Sequence, residues 1–481
     1  MERGLGVRPY NSYLCPFMKK VQTITQVEVT GISAEGLAIG RHNDIVVFIH
    51  GAVPGDVVDI QITKKKSNYR EGKAINFHQQ SAKRVTPTCE HFGLCGGCKW
   101  QNMGYEFQLE YKQQQVEQTL KRLAKVDLPE IEPILGSTNE YFYRNKMDFA
   151  FSAKQWLTHE EMLQNIPFAP ALGFHVPKYF DRILNVNKCH LQPDPSNEIR
   201  TAIKDFTTQN EYTYFDARHK TGFMRNLIIR NTTAGGLMVI IIFYYRDDEK
   251  IEALMQHVKA QYPQITSLNY IVNEKANDTI YDQDVICYHG TPYIIEQMDD
   301  LQFKVGPKSF YQTNPTQAQN LYNVTLDFAS LQGGEVVYDL YTGTGTIACF
   351  LAKKAAKVVG VEYVPEAIDD AHENAALNNI TNTAFFAGDM KDVLNDEFIA
   401  ANGTPDVIVT DPPRAGMHED VVKKILEIAP KKVVYVSCNP ATQARDIALM
   451  DEKYRVVRIK PVDMFPHTQH VENVVLLELK N

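Results

Sequence analysis

Cys438 stands in the run Ser437-Cys438-Asn439-Pro440, directly after the apolar stretch 432–436. Asp411 stands in Asp411-Pro412-Pro413-Arg414, directly after the apolar stretch 406–410. Apolar runs without polar alternation suit parallel strands covered on both faces. Ligands of such sheets bind beyond the carboxyl ends of the strands. A thiol and a carboxylate are therefore expected to face one crevice. A free Cys is commonly just a buried apolar residue. Here the Asn-Pro turn should open a helix, and a helix N-terminus lowers a thiol's pKa, so Cys438 reads as a nucleophile. Glu472, in His470-Val471-Glu472-Asn473 between the last two strands, returns to the same sheet end. It is a candidate base; its plainer role would be a loop or cap carboxylate.

A second group of residues suits a nucleoside. The strand 336–340 runs into Tyr341-Thr342-Gly343-Thr344-Gly345-Thr346, and Glu362 ends the next strand 19 positions past Gly343. An acidic residue there suits the hydroxyls of a ribose. A third glycine, as in the dinucleotide fingerprint, is missing, and so is the Lys-Ser/Thr pair of a phosphate loop. S-adenosylmethionine fits better than a nicotinamide cofactor: Glu362 on the ribose, Asp389 near the adenine amine, the glycine loop under the methionine tail.

A methyl donor beside a thiol has a specific use. Carbon 5 of uracil is a poor nucleophile until a thiolate adds to carbon 6. It can then take the methyl, after which a base removes its proton and the thiol leaves. Covalent catalysis of this kind splits one hard step into easier ones. Gln312, or Asp411 with its neighbours, could stabilise the enolate oxygen.

Metal chemistry is signalled by Cys89-x5-Cys95-Gly96-Gly97-Cys98. A zinc site usually shows two close pairs, whereas iron–sulfur clusters use four Cys at uneven spacing. Cys189 is the leading fourth ligand and Cys287 the second choice. The C-x3-C-x2-C run expected of a radical enzyme is absent.

The elements that must position these residues follow from the rest of the chain. Its 481 residues, 44% hydrophobic and 22% charged, are ordinary for a globular protein of several domains. The longest apolar run, 237–245, is too short to span a bilayer. The net charge of −8 argues against bulk electrostatic capture of nucleic acid. Locally, seven Lys or Arg and one Glu lie between residues 60 and 84. Eight cysteines with three bunched suggest a reducing compartment, and a cytoplasmic protein is expected. Residues 1–18 read as a disordered leader, with Met18 a possible true start. Residues 19–80 read as a small OB-like barrel, with Lys64, Lys65, Lys66 and Arg70 as phosphate contacts. Residues 81–310 form a central antiparallel-sheet domain that opens with an amphipathic helix over 105–123 and carries Cys189. Its Arg144, Lys146, Arg225 and Arg230, set among aromatics, suit RNA. Residues 311–481 alternate strands and helices as a doubly wound, Rossmann-like domain.

Taken together, these motifs resemble the RNA 5-methyluridine methyltransferases of the TrmA/RumA type. The resemblance rests on the barrel, the three-cysteine motif, Phe310-Tyr311-Gln312-Thr313-Asn314, the 339–345 loop, the 411–416 loop, Ser437-Cys438-Asn439-Pro440 and His470-Val471-Glu472. It implies Cys438 as nucleophile and Glu472 as base, and a methyl-donor site of Gln312, Tyr341, Glu362, Asp389 and Asp411. It also implies a 4Fe–4S cluster on Cys89, Cys95, Cys98 and Cys189. In this family the tRNA enzymes lack the barrel and cluster, which implies 23S ribosomal RNA as substrate. The protein is expected to act as a monomer on RNA, with no DNA or membrane partner. The alternatives are a tRNA 5-methyluridine enzyme, an RNA cytosine-5 enzyme and a non-catalytic RNA-binding relative. A cytosine enzyme would usually place Cys after the Asp-Pro of the fourth strand, where Pro413 and Arg414 stand. A non-catalytic relative would have lost Cys438, Glu362 or Glu472.

Overall fold

The computed structural model describes residues 22–480 except 178 and 180, so the expected leader and start site lie outside the described residues. The chain divides into two compact units, 1–85 and 86–481.

In the first unit, β1 (Thr23–Ile32), β2 (Ala38–His42), β3 (Ile45–His50), β4 (Val57–Lys65) and β5 (Tyr69–Gln79) close a barrel in the order β1-β2-β3-β5-β4. Alternate residues Val27, Val29, Val47, Ile49, Val58 and Ile60 fill it, as period-two patterning requires. The barrel is pinned at the turn between β3 and β4 by Asp56, fully buried, which accepts from Val53 N at 2.7 Å, from Ser81 N at 2.8 Å and from Arg84.

The second unit contains two seven-stranded sheets. The first comprises β6 (Lys146–Ser152), β7 (Ala171–His175), β8 (Ile183–Asn185), β9 (Met224–Asn231), β10 (Leu237–Phe243), β11 (Ser267–Val272) and β12 (Ile286–Gly290), ordered β12-β11-β10-β9-β6-β7-β8. It departs from the all-antiparallel expectation in one place: β10 and β11 are parallel. The helix Asp248–Gln261 makes the crossover such a pair needs, and every residue of β10 is buried, as a strand covered on both faces should be. The stretch 293–298, expected in this sheet, instead forms a separate hairpin of β13 (Ile294–Met298) and β14 (Leu301–Val305).

The second sheet comprises β15 (Val336–Leu340), β16 (Lys357–Glu362), β17 (Thr383–Ala387), β18 (Val407–Thr410), β19 (Lys432–Ser437), β20 (Tyr454–Val462) and β21 (Glu472–Leu479). Its order is β17-β16-β15-β18-β19-β21-β20, parallel except for β21, which is antiparallel to both neighbours. Val337, Val409, Val434 and Val436 face the helices Pro315–Ala329 and Thr346–Ala352. Tyr338, Ile408, Val433 and Tyr435 face Glu419–Ile428, Pro440–Met450 and Tyr105–Leu123. The first of these cores runs on into Ile228, Met238, Ile240 and Ile271 of the other sheet. Strand order reverses between β15 and β18, which is where a ligand crevice is expected in an open parallel sheet.

Candidate active site

Register alone lines up the chemistry along one sheet edge. Glu362 ends β16, opposite Ala387 of β17, two residues short of Asp389. Leu340 of β15 pairs with Val361 and with Thr410, so Tyr341 and Asp411 leave the sheet side by side. Ser437 of β19 pairs with Asn473 of β21, which puts Cys438 beside Glu472. Because β21 runs antiparallel, its first residue meets the last residues of the parallel strands.

Cys438 is followed by the helix Pro440–Met450, with Asn439 as its N-cap accepting from Ala441 N. The helix is as expected, but its effect on the thiol is not. Burial pushes the Cys438 thiol up to about 11, and the carboxyls of Glu472 and Asp411 push in the same direction. The Arg414 guanidinium beside the thiol pulls it back. Burial, with two carboxyls beside it, outweighs a helix end plus one cation.

The carboxyls answer to the same environment. Burial raises Asp411 to about 7. Burial, reinforced by Asp411, raises Glu472 to about 8 against the pull of Arg414. Near neutral pH this cleft therefore holds carboxyls poised to take or give a proton. His470 lies with Nδ1 3.3 Å from the Arg414 guanidinium. Burial and that cation hold its imidazole down to about 4, so it is neutral at pH 7. Arg414 was legible only as part of the 411–416 loop. Its position three residues past Asp411 was the available signal for its contact with the thiol. Asn439 Nδ2 donates to Arg414 O at 3.0 Å and locks the two loops together.

On the donor side, Glu362 accepts from Gly343 N at 3.2 Å and Val364 N at 3.0 Å. Both its oxygens are held in place, and each keeps a lone pair for a ligand hydroxyl. Gly343 has φ +54° with open space where a Cβ would stand. Gly345 has φ +76°, and a Cβ there would come within 2.8 Å of Ala371, so the loop's sharp course requires glycine. Tyr341 is also left-handed, with φ +63°. Asp389 caps Met390–Val393 through Lys391 N and pairs with Lys391 Nζ at 3.3 Å. The Gln312 side chain lies near the hydroxyl of buried Tyr322, which faces Asp411, Asp339 and Glu472. Tyr322 gave no signal in the sequence. Asp339, fully buried with one oxygen unpartnered, is raised to about 7 by burial.

Cys89, Cys95, Cys98 and Cys189 line one cavity of about 520 Å³ with His91, Arg144 and Lys146. None is in a disulfide. Burial pushes Cys95 up to about 11 and Cys98 to about 12, each raised further by the other cysteines. Among the described residues, no group of three or more His, Cys, Asp or Glu is gathered tightly enough to hold a metal ion. The thiols thus ring a cavity rather than converge on one point. Cys287 is exposed on β12, away from this cavity.

Two of the expected RNA contacts have other work. Arg225 is buried and donates to the carbonyls of Asn273, Lys275 and Asn277. Arg230 is buried and donates to Gly306 O and Ser309 O. Both clip backbone turns. On the barrel, Arg70 donates to Lys66 O and Tyr69 O, and Lys64 pairs with Glu71 at 3.7 Å. Lys65 and Lys66 are exposed.

A family described as tRNA (uracil-5-)-methyltransferase matches residues 216–480, and the TRAM domain matches residues 19–75. An uncharacterised RNA methyltransferase of Bacteroides thetaiotaomicron is 55% identical over 454 residues, covering 93% of this chain and all of that one. One from Porphyromonas gingivalis is 53% identical over 460 residues, covering 94% of this chain and 99% of that one. Among solved structures, a Pyrococcus abyssi tRNA (uracil-54, C5)-methyltransferase in complex with S-adenosyl-L-homocysteine superposes with a TM-score of 0.74 at 27% identity, over 94% of this chain and all of that one. No described helix is long and apolar enough to cross a membrane. With a family match over more than half its length and close relatives along nearly all of it, the chain belongs to the tRNA (uracil-5-)-methyltransferase family of RNA-modifying enzymes.

Proposed function

We propose that this enzyme methylates carbon 5 of a uridine in RNA through a transient bond between Cys438 and carbon 6 of the base. The observation that carries this is the register that sets Cys438 beside Glu472, with Asp411 and Arg414 facing the thiol. S-adenosylmethionine, when bound, supplies an electrophilic methyl group. Glu362, already oriented by two backbone amides, takes its ribose hydroxyls. Tyr341, Asp389, Gln312 and Asp411 would hold the rest of the donor.

The Cys438 thiol gives its proton to solvent as sulfur bonds to carbon 6, a step favoured by the Arg414 cation. The double-bond electrons pass toward carbon 5 and the oxygen on carbon 4, and Gln312 can stabilise the enolate oxygen. Carbon 5 takes the methyl as the methyl's bond to the donor's sulfonium sulfur breaks, and the pair stays on that sulfur, leaving a neutral thioether. Glu472, as carboxylate, removes the proton left on carbon 5. The freed pair restores the double bond and expels the Cys438 sulfur as thiolate.

Cys89, Cys95, Cys98 and Cys189 would hold a 4Fe–4S cluster. Four thiols spread around a cavity suit a multi-iron body better than a single zinc ion, whose ligands close on one centre. The cluster's part is structural, and the protein works in the cytoplasm as a monomer. Large-subunit ribosomal RNA is the substrate implied by the resemblance of the barrel-and-cluster branch. A tRNA uridine is the second reading, favoured by the solved tRNA enzyme that matches 94% of this chain. Mass spectrometry of 5-methyluridine in ribosomal and transfer RNA from a deletion strain tests both. Loss of one mapped 5-methyluridine assigns the substrate. Full retention of every 5-methyluridine in both RNAs would overturn the proposal.

A further inference from the structure

The base and the cysteine motif lie hundreds of residues apart, yet one buried polar network joins them. Gln108 and Lys112, one turn apart on the helix Tyr105–Leu123, are fully buried. Lys112 Nζ pairs with Asp463 Oδ1 at 2.5 Å and donates to Phe465 O at 3.1 Å. Asp463 Oδ2 accepts from the Tyr105 hydroxyl at 2.7 Å, and that hydroxyl accepts from Ser137 N. Gln108 Nε2 donates to Trp100 O and Met103 O and lies 3.2 Å from His467 Nδ1, while Gln108 Oε1 accepts from His467 N at 2.8 Å.

The cysteine motif enters this network directly. Lys99 N and Trp100 N, the two amides after Cys98, donate to His467 O at 2.8 and 3.1 Å. Gln101 accepts from Cys89 N at 3.1 Å, and its side chain reaches Cys98. At the other end, the loop 463–471 leads straight into Glu472. Its His470 meets Arg414, whose cation acts on the Cys438 thiol.

A buried ion pair adds little net stability, and its best-attested use is to fix one arrangement over others. Here it fixes a loop that would otherwise hang between two strands. We propose that Lys112, Gln108 and Asp463 are positioning residues that latch the loop 463–471 to the cysteine motif, so that the alignment of Glu472 depends on the motif being intact. The inference rests on Glu472 acting as the base.

Hydrogen–deuterium exchange of the full chain without RNA tests the latch apart from activity. Lys112→Met and Cys98→Ser should each speed exchange in peptides spanning 463–472 by about ten-fold or more, as local opening becomes easier. Tyr105→Phe, which removes the hydroxyl's two hydrogen bonds at nearly constant volume, should do the same to a smaller extent. In turnover, the Lys112→Met adduct with RNA should form but resolve about ten-fold more slowly, while S-adenosylmethionine affinity stays at the wild-type value. Should Lys112→Met fail to fold, Tyr105→Phe decides. Unchanged exchange at 463–472, or faster exchange spread evenly over the chain, would overturn the latch. Glu472→Gln separates the two ideas: normal release in that variant removes the base role, while the exchange result still decides the latch.

Discussion

Glu472 is forced toward its protonated form by burial and by Asp411, from an ordinary 4.5 up to about 8. The fold thus favours the proton. Its contribution to stability is fully present below about pH 4.5 and is lost as pH rises through 8. Glu472→Gln keeps the shape without the charge. It should therefore resist denaturant better than wild type at pH 8 to 9, by on the order of a few kcal/mol at most. The gain should vanish toward pH 4.5, and chemical denaturation at several pH values reads it. Equal stability at all pH values would mean that the carboxyl is not held off water. At this scale the sequence was a partial guide. Cys438 and Glu472 stood out by residue type and by their place at strand ends. The thiol's pKa did not, because a helix N-terminus is visible in a sequence whereas the thiol's burial and the carboxyls facing it depend on tertiary packing and cross-strand register.

Among the elements, β16 and the glycine loop carry the donor site. A charged hydrogen bond is worth roughly 1.5–3 kcal/mol. Glu362→Ala should then weaken S-adenosylmethionine binding by about ten- to a hundred-fold, at 1.4 kcal/mol per decade. The loss should exceed that of Asp389→Ala, since Asp389 is already engaged with Lys391 whereas Glu362 is aimed by Gly343 and Val364. Calorimetry with both variants checks this; equal affinities for Glu362→Ala and wild type would remove the ribose contact. The parallel sheet was legible because its strands lack polar alternation and end on Gly, Asp and Cys. The same uniformity hid the direction of β10. A strand of seven buried residues reads alike in either direction, and only the crossover helix Asp248–Gln261 decides it. The fate of Arg225 and Arg230 was likewise invisible, because the carbonyls they clip are brought to them by loops far along the chain.

For the whole molecule, the cysteine cavity and the barrel make separate predictions. Anaerobically purified protein should be brown and carry about four irons per chain, as a 4Fe–4S cluster requires. Cys189→Ser should lose them, and Cys287→Ser should not. Stoichiometric zinc without iron would contradict the cluster. On the barrel, Lys65 and Lys66 are exposed, while Lys64 and Arg70 have partners within their own hairpin. Neutralising Lys65 and Lys66 should lower the log–log salt slope of RNA binding by about 0.7–0.9 for each phosphate left without its cation. Adding the Lys64 and Arg70 changes should add less. An unchanged slope would make the run a solvated face.

The covalent route is tested most directly on a denaturing gel. Wild-type enzyme, Cys438→Ala and Glu472→Gln are each incubated with S-adenosylmethionine and substrate RNA, and wild type also with RNA carrying 5-fluorouridine. Fluorine on carbon 5 cannot leave as a proton, so wild type should be caught on that RNA as a slow-migrating adduct. Glu472→Gln should be caught on ordinary RNA already methylated at carbon 5, since removing a general base costs about 10²–10⁴-fold in the release step. Cys438→Ala should form no adduct and no product. An active Cys438→Ala enzyme, or wild type that leaves no adduct on the fluorinated RNA while methylating ordinary RNA, would contradict the account.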